Sequence, residues 1–180
     1  MGLGLAVVAL ATAGSAAPAT AAGCKGADVR AQDGGLAKAA RATLCLVNTE
    51  RSQRGLERLK LSKQLRKAAR GHSKDMVANQ FFAHDSPSGS TIPSRAKKAG
   101  YTRKTTSFLL REDLGWGAGE RSSPRKVVEA WMASTVHREN ILNAKLRDAG
   151  IGIAKGSPFG GPGATYTLAF GQRKRAGRSS

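Results

Sequence analysis

The chain has 180 residues, which is the length of one domain with a sizeable hydrophobic core rather than of several domains. Its hydrophobic content of 40% is ordinary for a globular protein, although only 5% of the residues are aromatic. The charge is unusual, because 30 Lys and Arg residues against 12 Asp and Glu residues give a formal net charge of +18.

The first 22 residues carry no charged side chain and predict a secretory signal peptide. An apolar run is followed by small residues that end in Ala19-Thr20-Ala21-Ala22, which has the form of a signal cleavage site. The apolar run is too short to span a bilayer, which takes about 20 residues. No Lys or Arg precedes the run, so the positive charge would come from the amino terminus or from a start further upstream. The alternative is a disordered Ala-rich leader.

The two cysteines, Cys24 and Cys45, agree with export. An even cysteine count in an exported chain predicts one disulfide, which would tie the new N-terminus to the first helix. A disulfide that closes a loop of this size would stabilise the folded protein by roughly 3 kcal/mol, because it lowers the conformational entropy of the unfolded chain. An alternative interpretation makes Ala21-Ala22-Gly23-Cys24 a degenerate lipoprotein signal, with Cys24 acylated and Cys45 unpaired.

Two amphipathic helices are predicted in the first half of the chain. After a polar, Gly-rich arm over residues 23–35, apolar residues at helical spacing begin at Leu36 and continue to about Arg54, with Gly55 as the C-terminal cap. Ser62 is suited to cap a second helix. The apolar face of that second helix consists of Leu65, Ala69, His72 and Met76.

Shorter elements follow in the middle of the chain. Residues 84–90 form a turn-rich loop, Thr91 can cap a short helix that stops at Gly100, and residues 107–110 predict a strand that runs into Glu112.

A further helix is predicted after Ser123 and Pro124, because a cap residue followed by proline is a strong helix start. His137 is expected just past the end of this helix. The buried stripe of the helix consists of Val127, Val128, Trp131 and Met132.

Apolar residues alternate over residues 149–153 and 165–170, which predicts two strands of an antiparallel hairpin. Gly150 and Gly152 would allow a helix to pack closely on the sheet. The tail, residues 173–180, is basic and is expected to be disordered. Helices followed by a hairpin predict an α/β (α+β) layered sandwich with an antiparallel sheet over residues 36–172.

Five motifs occur in a fixed order along the chain and together resemble one family, the CAP superfamily of cysteine-rich secretory, antigen 5 and pathogenesis-related-1 proteins, also called SCP domains. The resemblance is to the bacterial secreted branch and covers roughly residues 40–172. The motifs are Leu46-Val47-Asn48-x-x-Arg51-x-x-x-Gly55-Leu56, Phe82-x-His84, Glu112-Asp113-Leu114-Gly115-Trp116-Gly117, Trp131-Met132-x-Ser134-x-x-His137-Arg138-x-Asn140-Ile141-Leu142 and Gly150-Ile151-Gly152.

The resemblance implies a three-layer α-β-α sandwich with a central antiparallel sheet and an open cleft. His84, Glu112 and His137 correspond to the residues that line the cleft in the family. Asp113 stands where the family usually has Asn, and Ser134 stands near a second glutamate of eukaryotic relatives. Family members bind divalent cations at the two histidines, some bind sterols or other lipids, and proteolysis has been claimed for a few. No general reaction is assigned to the family.

Two chemical roles are open for these residues. His84 and His137 with Glu112 could bind Zn²⁺ or another divalent cation and leave one position for water, although no His-Glu-x-x-His motif is present. The alternative is that both histidines only form hydrogen bonds in the cleft. Glu129 could replace the missing second acid.

A hydrolase would use Ser134 as nucleophile, His137 as base and Glu112 as the orienting acid. No Gly-x-Ser-x-Gly motif supports this role, so Ser134 is instead expected to cap a helix end or to form a supporting hydrogen bond in the cleft.

Several other residues have a simpler structural interpretation. His72 is expected to be a satisfied, partly buried histidine rather than a ligand. Trp116 and Trp131 are expected in the core and the cleft wall. Asp113 would either raise the pKa of its neighbour Glu112 or, more simply, pair with Arg111.

The basic charge is concentrated in three segments, residues 51–70, residues 95–104 and the tail. In an exported protein this charge favours anionic envelope polymers or lipid headgroups as partners, and the lack of interleaved aromatic residues disfavours nucleic acid. A generically basic surface is the alternative. The sequence thus predicts a secreted binding module with a His/Glu cleft for a lipid, an envelope polymer or a divalent cation, with the hydrolase as the second hypothesis.

Overall fold

The computed structural model describes residues 23–175. The predicted signal peptide, residues 1–22, and the last five residues lie outside this part of the chain. No helix within residues 23–175 is long and apolar enough to cross a membrane. The helices are α1 (Leu36–Ser52), α2 (Lys63–Ala78), α3 (Ile92–Lys98), α4 (Pro124–Ala133) and α5 (Thr135–Ile141), and the strands are β1 (Lys60–Leu61), β2 (Thr105–Gly117), β3 (Asp148–Lys155) and β4 (Ala164–Arg175).

The four strands form one sheet in the order β1-β3-β4-β2. The three longer strands are antiparallel, as the hairpin prediction required, with Ile151 opposite Leu168 and Asp113 also opposite Leu168. The two-residue strand β1 adds in parallel to β3, so the sheet is mixed at this side only. Helices α1 and α4 cover one face and α2 and α3 the other, which confirms the expected α-β-α sandwich.

Close contact between α2 and β3 depends on two glycines of β3. A Cβ atom at Gly150 would overlap the backbone of Leu65 and Arg66, and one at Gly152 would overlap the backbone of Ala69 and Arg70. The helix therefore lies directly on the strand, and the expected role of these glycines is confirmed. Four residues of helix advance about 6 Å, and two residues of strand advance about 6.7 Å, so α2 and β3 keep step with each other.

The side of the sheet opposite α2 contains the larger hydrophobic core, in which Ile151 and Ile153 pack under α1 and Trp131 packs edge-on to Tyr166. The indole N–H of Trp131 donates to the carbonyl of Leu114, 2.7 Å away, so this buried ring has a polar partner. This confirms the expected core position of Trp131.

Arg51 anchors α1 to the end of α5. It is fully buried, and its guanidinium donates to the carbonyl oxygens of Glu57, Ile141 and Asn143 at 2.9, 2.6 and 3.0 Å. A buried charge requires such partners, because each hydrogen bond to a charged group contributes about 1.5–3 kcal/mol. The carbonyls near the C-terminus of α5 are also the negative end of that helix. Arg51 thus holds the helix that carries His137.

The N-terminal arm is packed on the domain. The predicted disulfide between Cys24 and Cys45 is confirmed, and it joins the arm to α1. Acylation of Cys24 would need the thiol that this disulfide uses. Ala27 and Ala31 are buried, and the arm also forms an ion pair between Asp28 and Arg125 at 2.6 Å.

Three element boundaries differ from the sequence prediction. Strand β2 continues past Leu110 to Gly117, because it pairs with β4 along its whole length. Strand β4 includes residues 173–175, which pair with the start of β2, so this part of the predicted disordered tail is a strand. The helix that begins at Pro124 ends at Ala133, and His137 lies within a second helix instead of a loop.

Replacement of Gly152, one of the two glycines that contact α2, tests the close packing of the helix on the strand. Gly152→Ala is expected to lower the free energy of unfolding by about 3 kcal/mol, at the upper end of typical overpacking, because backbone rather than a flexible side chain lies in the way. Urea denaturation measures this change.

Gly71→Ala is the matched control on α2. No atom lies within 4 Å of a Cβ at Gly71, so Ala is expected to raise the free energy of unfolding there by about 0.5–1 kcal/mol. If Gly152→Ala and Gly71→Ala changed the free energy of unfolding by the same amount, the close packing of α2 on β3 would be contradicted.

Candidate functional site

Glu112 of β2 is the centre of a buried ion cluster. Its side chain is 2% exposed, and both of its carboxylate oxygens accept hydrogen bonds from Arg95 Nη2 at 3.0 Å. Nδ1 of His84 lies 3.1 Å from Oε1 of the same carboxylate. One carboxylate therefore faces one permanent cation and one titratable cation.

Arg95 also fixes the loop that carries His84. Besides Glu112, its guanidinium donates to the carbonyls of Ser90 and His84, both at 2.8 Å. Helix α3 presents Arg95 in a fixed position because Thr91 and Ser94 form a capping box at its N-terminus. Arg95 is a site residue that the sequence did not predict. It is one of three basic residues on a short helix, and no sequence signal separates it from the exposed Lys97 and Lys98.

His72 of α2 lies against this cluster. Its buried Nε2 is 3.0 Å from the carbonyl of Ala83 and 3.8 Å from Oε1 of Glu112. Burial lowers the pKa of His72, so the neutral ring donates from Nε2 to Ala83. Nδ1 is buried and has no hydrogen-bond partner. The predicted buried position is thus correct, but the ring is only half satisfied and borders the site.

Asp113 points to the other face of the sheet from Glu112, because successive residues of a strand alternate. Its Oδ1 accepts from Asn140 Nδ2 of α5 at 2.7 Å, and its buried Oδ2 has no partner. Burial raises the pKa of Asp113 to about 7, and the charge of Glu112 is only a minor contribution. The expected pair with Arg111 is absent among the described contacts; Arg111 is exposed and donates to the carbonyl of Leu110.

The two cleft histidines have opposite pKa shifts. The hydrogen bond to Glu112 raises the pKa of His84, whose side chain is 51% exposed. Burial, and then the charge of His84, lower the pKa of the half-buried His137. Over an intermediate pH range, His84 is therefore charged while His137 is neutral.

Ser134 occupies the break between α4 and α5, with an extended backbone at φ −87° and ψ 127°. It stands at the N-cap position of α5, as expected of a helix-end residue, although its side chain forms no cap hydrogen bond. Within residues 23–175, the hydrogen bonds include none between Ser134 and His137 and none between His137 and Glu112. The carboxylate of Glu112 is engaged by Arg95 and His84 instead.

The donor set does not fit a cation site that includes Glu112. Both oxygens of Glu112 face Arg95, whose charge opposes a divalent cation, and Nδ1 of His84 is already used. In the described part of the chain no group of three His, Cys, Asp or Glu side chains could hold a metal ion. A cation on His84 and His137 alone stays a prediction. Glu129 does not reach the cleft, because it is exposed on α4 and pairs with Lys126.

Two exposed aromatic rings, those of Phe82 and Trp116, each contact the exposed ring of Phe159. The ring of Phe159 lies 5.4 Å from that of Trp116 and 6.2 Å from that of Phe82, measured between centroids. Trp116 shares a face of β2 with Glu112, and Phe82 precedes His84 by two residues. Trp116 is therefore part of an exposed wall, not of the core. We call Phe82, Trp116 and Phe159 the aromatic wall.

The chain matches the CAP family, described as the cysteine-rich secretory protein family, over residues 44–170. This match covers more than half of the sequence and includes the five motifs and the cleft residues. The chain belongs to the CAP family. The matched region accounts for most of the described residues.

Two relatives of known sequence or structure come from Bacillus. The chain is 36% identical over 110 residues to the uncharacterized protein YkwD of Bacillus subtilis strain 168, which covers 61% of this chain and 40% of that protein. It is 30% identical to an extracellular protein containing a SCP domain from Bacillus anthracis strain Ames, with a TM-score of 0.59 over 71% of this chain and 38% of that one. The chain thus spans about two fifths of the length of both.

A second similar structure, an outer surface protein of Borrelia burgdorferi, supports the fold alone. It is 24% identical, with a TM-score of 0.61, and the match covers 73% of this chain and 90% of that chain.

Titration of the CAP domain tests the coupling of the two histidines. NMR of the imidazole signals is expected to give His84 a pKa above its ordinary value of 6.5 and His137 a pKa below 6.5. Glu112→Gln is expected to lower the pKa of His84, and His84→Ala to raise that of His137. Because the folded protein favours protonated His84, its contribution to stability is present below pH 6.5 and is lost as the pH rises through the folded pKa. Glu129→Gln is the control variant. An unchanged pKa of His84 in the Glu112→Gln variant would contradict the hydrogen bond between His84 and Glu112.

Asp113→Asn tests the buried carboxyl. A pKa raised from 3.8 to about 7 means that ionisation destabilises the folded protein. The stability that Asp113 contributes is present below pH 3.8 and is lost as the pH rises to about 7. Relative to wild type, the variant is expected to gain on the order of 3 kcal/mol in unfolding free energy between pH 4 and pH 8, at about 1.4 kcal/mol per pKa unit.

Chemical denaturation at the two pH values measures this difference. Asp85→Asn is the matched control, because it removes the same charge from an exposed loop. A variant curve parallel to that of wild type would show that Asp113 is ionised throughout.

Proposed function

We propose that this CAP domain is an extracellular binding module whose cleft takes an anionic polymer of the cell envelope. The observation that carries the proposal is the aromatic wall beside His84. Exposed apolar side chains that touch one another mark binding sites, and ligand sites typically combine aromatic surface with a few fixed polar groups. The ring of Phe159 is 62% exposed, so a ligand can reach it without rearrangement of the core.

The charge of the cluster favours an anion. Arg95 and protonated His84 together carry two positive charges against the single negative charge of Glu112, and Asp113 is neutral when protonated. An anionic group at His84 would therefore meet net positive charge, and the +18 charge of the whole chain would speed its approach.

An extracellular location is supported by two features outside the cleft. The first 22 residues have the composition of a secretory signal, and the Bacillus anthracis relative is described as extracellular. A polymer of the cell envelope is the anionic ligand that such a protein would meet first.

The contacts of Glu112 favour binding over hydrolysis. A hydrolase with Ser134 as nucleophile would need Glu112 to orient His137. Glu112 instead pairs with His84 and Arg95, so its carboxylate already has two cationic partners.

Polymer binding by the full chain tests the proposal. Polygalacturonate, a polymer of acidic sugar rings, is the probe, and amylose is the neutral control. Trp116→Ala is expected to weaken binding of polygalacturonate by at least about 10-fold, because loss of a buried aromatic contact costs about 1.5 kcal/mol or more. Calorimetry and tryptophan fluorescence measure the binding.

Phe108→Ala is the matched variant, since Phe108 is an exposed aromatic residue of the same strand at the end far from the site. It is expected to bind polygalacturonate like wild type. Equal binding by Trp116→Ala and wild type would reject the aromatic wall. Release of new chain ends by wild type, lost in both Ser134→Ala and His137→Ala, would establish a hydrolase. Binding to phosphatidylglycerol vesicles without binding to the polymer would show that the ligand is a lipid and not a polymer.

A further inference from the structure

One side of β3 lacks a partner strand beyond Ala149 in the described part of the chain. Strand β1 pairs only with Asp148 and Ala149, whereas β4 pairs with β3 along its whole length. The backbone N–H of Ser62 donates to the carbonyl of Ala149, which shows that this carbonyl points toward β1. Because the backbone groups of a strand alternate in direction, those of Ile151 and Ile153 point to the same side, where the two residues are 2% and 4% exposed at the bottom of a groove.

The open side of β3 forms the floor of a groove between α1 and α2. The groove has a volume of about 360 Å³. Its lining is mostly apolar, and the apolar side chains come from α1, β1 and β3. They are Leu36, Ala37, Ala40, Leu44, Leu61, Ile151 and Ile153. We call this space the β3 groove.

Three arginines border the β3 groove, and none forms an ion pair among residues 23–175. They are Arg41 of α1 and Arg66 and Arg70 of α2. The close contact described above places Arg66 beside Gly150 and Arg70 beside Gly152. The two arginines therefore repeat along the groove at the two-residue period of a strand.

We propose that the β3 groove binds an extended segment of another protein as an added β-strand, with acidic residues at alternate positions. The added strand would pair with Ile151 and Ile153, in line with β1. Its acidic side chains would face Arg66 and Arg70, and its apolar side chains would face α1. Backbone pairing would provide affinity, and the alternating side chains would provide specificity.

These 180 residues do not supply such a segment, either within one copy or between two copies. None of the 12 acidic residues of the sequence is two positions from another, so no part of it offers acids at alternate positions. Residues 1–22 contain no charged side chain, and the five residues after Arg175 contain no acid. The strand must therefore come from outside these 180 residues.

The backbone groups favour a peptide over an acyl chain. An acyl chain in the β3 groove would cover the N–H and C=O groups of Ile151 and Ile153 without a hydrogen bond, and a buried unpaired group costs about 1–3 kcal/mol. An added strand satisfies them.

An eight-residue peptide of alternating valine and glutamate tests the inference with the full chain. It is expected to bind, and hydrogen exchange of the Ile151 and Ile153 amides is expected to slow by at least about 10-fold in the complex. The Arg66→Gln/Arg70→Gln variant is expected to bind the peptide at least about 10-fold more weakly.

Four controls separate the alternatives. Lys97→Gln/Arg103→Gln removes the same charge from exposed positions outside the groove and is expected to bind the peptide normally. If this variant lost as much affinity as Arg66→Gln/Arg70→Gln, the net charge of the protein would explain the loss, and the specific role of the two arginines would be rejected. A peptide with N-methyl groups on alternate amides should not bind, and its normal binding would exclude strand addition. Decanoate binding without peptide binding would overturn the inference in favour of an amphiphile. Trp116→Ala should leave peptide binding intact, so failure here is distinct from failure of the proposed function.

Discussion

The close contact of α2 with β3 determines the geometry of both binding surfaces. Without side chains at Gly150 and Gly152, the helix lies on the strand backbone, and every residue of α2 is lowered toward the sheet. His72 can then approach Glu112 to 3.8 Å across the sheet surface. The same contact aligns Arg66 and Arg70 with the repeat of β3. Any larger residue at the two glycines would shift the helix and separate both sets of groups.

The sheet places these two surfaces at opposite sides. Strand β2 is the last strand at one end, and α3 and α5 reach it from the two layers. Glu112 contacts Arg95 of one layer and Asp113 contacts Asn140 of the other, so the two carboxyl groups lie on opposite faces of β2. Arg51 fixes the position of α5 in the second layer. Its guanidinium binds backbone carbonyl oxygens at the end of that helix instead of a carboxylate. The position of His137 thus depends on a buried charge in α1.

The sequence predicted the parts of this arrangement that local patterns encode. Ser62, Thr91 and Ser123 cap helices as expected, and the period of apolar residues identified α2 and the hairpin. The signals that were missed are non-local. The length of β2 is set by pairing with β4, and the role of Arg95 is set by a carboxylate 17 residues away that local spacing does not reveal. The break at Ser134 has no proline or glycine to mark it.

Asp113 and His84 both make the charge of the site more negative as the pH rises. As the pH rises, Asp113 ionises near pH 7 and His84 loses its proton above 6.5. The first change adds a negative charge and the second removes a positive one, so both changes make the net charge of this region more negative. Arg95 keeps its charge throughout and remains paired with Glu112. An anionic ligand would therefore be held most strongly on the acidic side of neutrality, whereas a divalent cation would gain affinity in the opposite direction. The pH dependence of binding thus distinguishes the two ligand classes without knowledge of the natural ligand.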